Sequence, residues 1–156
     1  MKLEHHYTVG LEWLGNRGTG TSGYKAYGRE HQLTAEGKPP IEGSADRVFH
    51  GDPERWNPEE LLIAALSQCH MLSYLHVAAS HGVVVTAYLD DASGVLEQTA
   101  DGGGRFSSVT LRPLVTVSDA GSAELAQELH EEASRKCFIA SSVDFPVRHQ
   151  PRIVVG

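Results

Sequence analysis

The alternation of hydrophobic and polar positions predicts one long helix near the middle of the chain. From Leu61 to Ala79 apolar residues fall on almost every side of a helix with 3.6 residues per turn. The segment before it has an Asn at the N-cap position, Pro58 at the first helical position and two acids in the first turn. His81-Gly82 predicts the end of the helix. A helix that is apolar nearly all round is typical of a buried central helix.

Segments rich in β-forming residues lie on both sides of this helix. The predicted strands before it cover residues 7–14, 24–33 and 41–49, the last being the weakest, with turns at 15–20 and 37–40 and a loop at 50–56. Those after it cover 83–89, 105–117 and 145–155, with turn signals at 94–104 and a loop at 118–121. Pro113 interrupts the longest of these strands and predicts a sheet edge or a bulge.

A second helix is predicted between the last two strands. Leu125, Leu129, Ala133 and Cys137 recur at i, i+4 spacing, and basic residues occupy its last turn, as the helix dipole favours. The element order indicates an α+β fold with antiparallel strands. No internal repeat or low-complexity linker divides the chain, so we expect a single domain over residues 1–156.

Composition and charge narrow the classes of function. The formal net charge is −7, and the longest basic run is the pair Arg135-Lys136. Phosphate recognition needs clustered cations, so we expect no nucleic-acid partner. Residues 1–6 contain no apolar stretch of signal-peptide length, and we expect no run that approaches the roughly 18 apolar residues of a membrane span. These features predict a cytoplasmic protein without a membrane partner.

The two cysteines are the main candidates for chemistry. Cys69 lies within the long helix, and Cys137 ends the second helix beside two cations, which can lower the pKa of a thiol. Each could equally be a small apolar core residue, and the residues by themselves leave both interpretations open. The nine histidines show no metal-ligand spacing, and Ser73 lacks the turn of a serine hydrolase, so we expect neither a metal site nor that activity.

Two segments carry a resemblance to a known family. Residues 57–69, from Asn-Pro-Glu to Cys69, resemble the first cysteine signature of the OsmC/Ohr family, named for osmotically inducible protein C and organic hydroperoxide resistance protein. Residues 135–143 resemble the second cysteine segment of that family. His70 after the first cysteine and Phe138 after the second depart from its best-known members.

The resemblance implies a fold, a reaction and a set of site residues. It implies an OsmC-like fold in an intertwined homodimer, and a thiol peroxidase that reduces organic hydroperoxides. Cys69 would attack the peroxide and Cys137 would resolve the product as a disulfide. Glu59 would hold an arginine beside the attacking thiolate; Arg17 matches one branch and Arg47 the other. No cofactor is implied, only an external dithiol reductant, for which the family suggests the lipoyl type.

The spacing of two of these residues bears on assembly. Glu59 and Cys69 are ten residues apart, which is about 15 Å along one helix. One chain therefore does not bring both into one contact shell through this helix, and sites at a two-fold interface would solve the problem. Glu59 could otherwise serve only the helix dipole, and either arginine could be a surface charge. Two alternatives to the enzyme remain: a binding or stress-response module with little turnover, and a structural protein with incidental cysteines.

Overall fold

The structure, a computed structural model, describes residues 2–156 and forms two compact units with the boundary after Leu61. The first unit contains an antiparallel sheet of three strands in the order β1-β2-β3. These are β1 (Gly10–Trp13), β2 (His31–Thr34) and β3 (Ile41–Gly43), followed by a short 3₁₀ helix, Arg47–Phe49. The single domain expected over residues 1–156 stays a prediction.

All three strands predicted in the first unit are shorter than expected, and two of them for a visible reason. The Arg29 guanidinium donates from Nη1 to the Tyr27 carbonyl at 2.6 Å and from Nη2 to the Tyr24 carbonyl at 2.7 Å. Carbonyls that accept from a side chain in this way are held in a turn, so β2 begins only at His31. Asp46 accepts from the Val48 amide at 2.8 Å and starts the 3₁₀ helix where the third strand had been predicted to continue.

Helix α1 (Pro58–Ser80) has the predicted boundaries. The Glu60 amide donates to Asn57 Oδ1 at 2.8 Å, and the Asn57 amide donates to the Glu60 carboxylate at 3.3 Å. This reciprocal pair is a capping box, which satisfies amides that have no partner within the helix. Gly82, with φ 74°, follows the last turn in the left-handed conformation that glycine tolerates. The predicted helix start and stop are confirmed.

The second unit packs two small sheets with two helices. The elements after α1 are β4 (Val85–Asp90), β5 (Ser93–Gln98), β6 (Gly104–Leu111), β7 (Pro113–Val117), α2 (Ala123–Lys136), β8 (Val147–His149) and β9 (Arg152–Val155), with 3₁₀ turns at Ala120–Ser122 and Ala140–Ser142. One sheet has the order β4-β7-β9 and the other β5-β6-β8. The pairs β4·β7 and β5·β6 are antiparallel, as predicted, whereas β6·β8 and β7·β9 are parallel.

Three strand predictions in this unit need correction. The strands predicted at 105–117 and 145–155 are each divided, and their halves join different sheets. The breaks fall next to Pro113 and Pro151, which lack the amide that would continue a ladder. Strand β5 was predicted as a turn because of its glycine. A Cβ on Gly94 would lie 2.7 Å from the Phe106 ring and 2.9 Å from Ile63, so packing requires glycine there.

The core of the second unit consists of two hydrophobic clusters around α1. One surrounds Tyr74, Val77 and Ala78 and includes residues of β7 and α2; the other joins Leu66 to β6. The buried α1 residues share one face of the helix, whereas Leu72 on another face is 60% exposed. In the single chain the helix is therefore buried on one side and not all round.

The hydrophobicity of α1 also corrects the expectation that no run in the sequence approaches the apolar length of a membrane span. Among residues 2–156 it is the one helix long and apolar enough to cross a membrane, with a mean hydropathy of 1.4 over its best window. This property follows from length and composition alone. The core helix of a globular unit shares it, and the buried face of α1 serves that role here.

Candidate active site

Cys69 lines a cavity in the second unit. The cavity has a volume of about 640 Å³ and lies between one face of α1 and the segment that ends α2. Its lining comprises Ala65, Gln68, Cys69, Leu72, Ser73, His76, Lys136, Phe138 and Ile139. Carbon dominates this surface, and the few polar groups include the Lys136 ammonium, which pairs with Glu132. Cys69 is half-buried, so its sulfur is accessible from an apolar space.

Cys137 lies beside Cys69 but is shielded from solvent. Its side chain is 1% exposed, and the residue caps the C-terminus of α2, where its sulfur accepts from the Ala140 amide at 3.5 Å. Burial, followed by a hydrogen bond with the Cys69 side chain, raises the pKa of the Cys137 thiol to about 11. Cys137 therefore keeps its proton at neutral pH and can donate it to the sulfur of Cys69.

The fold brings together two thiols that are 68 positions apart in the sequence. They differ in access: one faces the cavity, and the other lies behind it. Thiols in contact can form a disulfide when one of them is oxidised. The arrangement suits a reaction that begins at Cys69 and ends with a bond to Cys137.

The other predicted site residues lie in or before the first turn of α1. Arg17 is exposed and its Nη2 is 3.9 Å from Glu30 Oε1, while Arg47 is exposed on the 3₁₀ helix. Glu59 lines a cavity of about 330 Å³ that neither of these arginines lines. The arginine that shares the cavity with Glu59 is Arg29.

Sequence reasoning did not single out Arg29. Its guanidinium carbon lies 4.0 Å from the centre of the Tyr27 ring and 4.7 Å from that of Tyr24. A cation held over aromatic faces gains electrostatic attraction in a fixed position. The sequence signal for Arg29 was its short distance along the chain from two tyrosines. The stacking of the guanidinium on their rings depends on the turn formed by residues 24–29.

Three histidines form a cluster in the second unit, with His70 and His130 buried and His149 half-buried. His70 of α1 donates to or accepts from His130 of α2, with 3.0 Å between Nε2 and Nδ1, and the His149 ring centre is 4.3 Å from that of His70. Burial, with the charges of the other histidines, lowers the pKa of His70 to about 3. Burial likewise lowers the pKa of His130 to about 4 and that of His149 below its usual value.

The geometry of this cluster indicates a hydrogen bond and not a metal site. The His70 and His130 ring planes are 15° apart and the ring centres 5.3 Å apart, so the two rings lie nearly end to end. Their hydrogen bond occupies Nε2 of His70 and Nδ1 of His130. Within residues 2–156 no group of His, Cys, Asp or Glu side chains is arranged to hold a metal ion. No sequence spacing pointed to this cluster, since its members lie on three separate elements.

Comparison with known proteins places this arrangement in a family. The sequence profile of the OsmC-like protein family matches residues 51–151, well over half of the chain. The chain belongs to the OsmC-like protein family. The matched range includes both cysteines, Glu59 and the histidine cluster. The resemblance inferred from the two cysteine segments is thereby confirmed.

Solved structures support the fold of this OsmC-like protein. An OsmC-like protein of unknown function from Vibrio cholerae is 29% identical, with a TM-score of 0.83 over 97% of this chain and 100% of that one. An organic hydroperoxide resistance protein from Elizabethkingia anophelis is 18% identical (TM-score 0.66, 99% and 100% covered). The Bacillus subtilis organic hydroperoxide resistance protein OhrB is 19% identical (TM-score 0.59, 95% and 98% covered). The last two establish the α+β fold alone. No curated protein sequence matches the chain.

Proposed function

We propose that this protein is a thiol peroxidase that reduces organic hydroperoxides to alcohols. One observation carries the proposal: an accessible Cys69 faces an apolar cavity and has a buried, protonated Cys137 at its side. The family includes proteins named for organic hydroperoxide resistance, which agrees with this chemistry.

The reaction divides into two steps on the chain. The Cys69 thiolate attacks the terminal oxygen of the peroxide, the O–O bond breaks, and the alkoxide takes a proton to leave as an alcohol. Cys69 is then a sulfenic acid. The Cys137 sulfur attacks the Cys69 sulfur, its thiol proton leaves with the hydroxyl group as water, and a Cys69–Cys137 disulfide forms. The contact between the two thiols favours this step over further oxidation.

An external dithiol would complete the cycle. Thiol–disulfide exchange through a mixed disulfide returns both cysteines to thiols and oxidises the dithiol. The apolar lining of the cavity beside Cys69 suits a reductant with an alkyl chain, such as a lipoyl group. The chain would need no cofactor of its own, and we propose that it works in the cytoplasm.

A second copy of the chain would complete the site. Ten large hydrophobic side chains of the first unit are exposed, and none among residues 2–61 is buried. Such a surface is typical of an interface, so we propose a homodimer in which this unit covers a partner. Glu59 would then orient an arginine beside the partner's Cys69. Arg17 and Arg47 remain candidates, and Arg29 joins them because it shares a cavity with Glu59.

Mass spectrometry after one equivalent of tert-butyl hydroperoxide tests the two-cysteine mechanism. We expect a mass loss of two hydrogens and one linked peptide pair containing Cys69 and Cys137. In Cys137→Ser, one equivalent should leave a sulfenic acid on Cys69, and a second equivalent should convert it to a sulfinic acid because the resolving thiol is gone. In Cys69→Ser, turnover with a dithiol should fall to the uncatalysed rate. A sulfinic acid on Cys69 of the natural protein, with Cys137 free, would exclude a resolving role.

The same assay separates the enzyme from the alternative function. Tight binding of an alkyl ligand in the cavity, without peroxide consumption by the natural protein, would mean that the protein is a binding or stress-response module. Equal turnover in the natural protein and Cys69→Ser would contradict the proposed function altogether.

A further inference from the structure

A second, smaller cavity lies in the first unit and is lined mainly by cations. Its volume is about 260 Å³, and its lining consists of Arg17, Lys25, Tyr27, Arg29 and His50. No acidic side chain lines it. Cations concentrated in this way are unexpected in a chain with a net charge of −7.

The positive charge in this cavity is only partly compensated. Arg17 has one carboxylate, Glu30, at 3.9 Å. Within residues 2–156 neither Lys25 nor Arg29 forms an ion pair. The cations in this cavity repel one another, and an anion bound between them is attracted to each of them and offsets that repulsion.

Arg29 is fixed in place before any ligand arrives. Two main-chain carbonyls accept from its guanidinium, and the rings of Tyr24 and Tyr27 lie against it. Two donated bonds leave three of its five N–H groups for a ligand. An arginine that is already ordered loses little freedom on binding an oxyanion.

His50 contributes a further nitrogen-bearing ring to the cavity. Its backbone has φ 62°, the left-handed region that a non-glycine residue seldom adopts, and its ring centre lies 5.1 Å from that of Tyr24. The strained backbone and the aromatic contact hold the imidazole at the cavity wall.

We propose that this cavity binds the phosphate or carboxylate group of a small organic anion between Lys25, Arg29 and Arg17. A water molecule occupies about 30 Å³ in the liquid, so the cavity has room for an oxyanion and part of the group attached to it. Tyr27 and Arg29 also line the adjoining cavity with Trp13 and Phe49, which offers an apolar surface to the remainder of the ligand. Arg17 and Arg29 are also candidates for the arginine beside the partner's Cys69, so the test of this cavity uses neither peroxide nor the cysteines and can fail independently of the proposed function.

Thermal unfolding of the full-length protein tests the proposal, with inorganic phosphate and acetate as probes and sodium chloride at equal ionic strength as the reference. A ligand of the folded state raises Tm as its concentration rises. We expect phosphate, acetate or both to raise Tm above the chloride value. A response to phosphate alone would identify a phosphate ester as the ligand class, and a response to acetate alone a carboxylic acid.

Two substitutions and a matched control locate the site. Lys25→Met should weaken the affinity for the active probe about ten-fold, because a charge-assisted hydrogen bond is lost. Arg29→Lys keeps the charge but loses the planar donors and should weaken it too. Lys38→Met removes an exposed lysine of the same unit and should leave the affinity unchanged. The proposal is overturned if neither probe exceeds chloride, or if Lys25→Met binds as tightly as the natural protein.

Discussion

Individual histidines carry the clearest electrostatic signature in this protein. His70 and His130 are buried and hydrogen-bonded to each other, and His130 stacks against Tyr74, whose hydroxyl donates to the Ala126 carbonyl at 2.8 Å. One imidazole donates and the other accepts, and burial lowers their pKa values to about 3 and about 4, so both rings are neutral at pH 7. A further proton on either ring would place a positive charge in the core, where neither histidine has a hydrogen bond to a carboxylate.

We predict that stability falls as the pH drops below 6.5. The folded pKa values, about 3 for His70 and about 4 for His130, lie below the value of 6.5 expected in the unfolded chain. The unfolded state therefore binds more protons in this range, and each histidine removes up to about 1.4 kcal/mol of the free energy of unfolding per pH unit. Urea unfolding between pH 7 and pH 5 measures the slope.

Two variants assign the slope to these residues. His130→Gln should remove up to half of it, and His76→Gln, which changes an exposed histidine of α1, should leave it unchanged. A free energy of unfolding that is constant between pH 6.5 and pH 5 would mean that the buried pair is already protonated or is open to water.

Helices α1 and α2 create the cavity at Cys69, and the properties of the cavity belong to this pair of elements. Leu72 projects from α1 into the cavity and Phe138 follows the end of α2, and both are largely exposed to the cavity or solvent. Because these exposed side chains are apolar, the binding of a ligand against them gains about 25 cal/mol of free energy per Å² of ligand carbon surface removed from water.

We predict that organic hydroperoxides are consumed faster than hydrogen peroxide. An alkyl tail gains free energy in the cavity, and the part retained in the transition state should give a preference of about ten- to a thousand-fold in kcat/KM. Leu72→Ser should reduce the preference about three-fold or more, whereas Leu89→Ser, at an equally exposed leucine of β4, should not. The measurement is kcat/KM for tert-butyl hydroperoxide and hydrogen peroxide with one dithiol; equal values would mean a wet, open site.

At the scale of the whole molecule, the exposed hydrophobic surface of residues 2–61 is the basis of the proposed dimer. Leu11 on β1 is 70% exposed although it belongs to a sheet, and Tyr7 before it is 90% exposed. In interfaces, the few residues that cost more than about 1 kcal/mol when truncated cluster near the centre and are enriched in tyrosine, tryptophan and arginine.

We predict a dimer at low micromolar concentration. Sedimentation equilibrium should give twice the chain mass of 16.9 kDa. Leu11→Glu places a charge in the proposed interface and should raise the dissociation constant about ten-fold or more. Leu89→Glu, on a leucine of similar exposure in the second unit, is the matched control. A stable folded monomer of the natural protein would refute the shared site, since Glu59 would then have no path to a Cys69.

The sequence by itself determined the features that depend on neighbours along the chain. The cap at Asn57, the turn at Gly82 and the length of α1 follow from hydrogen bonds and dihedral preferences within a few residues. The two cysteine segments identified the family for the same reason, since a motif is read locally. The α+β class followed from the order of such local elements.

Only the tertiary structure decided which distant residues meet. Residues 105–117 appeared as one strand because both halves have the same β-forming composition, yet packing sends β6 and β7 to different sheets. The contact of Cys137 with Cys69, the pairing of His70 with His130 and the cations gathered around Arg29 depend on the packing of separate segments. These contacts form only when the free energy of burying the side chains offsets the entropy lost on closing the loops between them. The spacing of residues along the sequence therefore does not predict them.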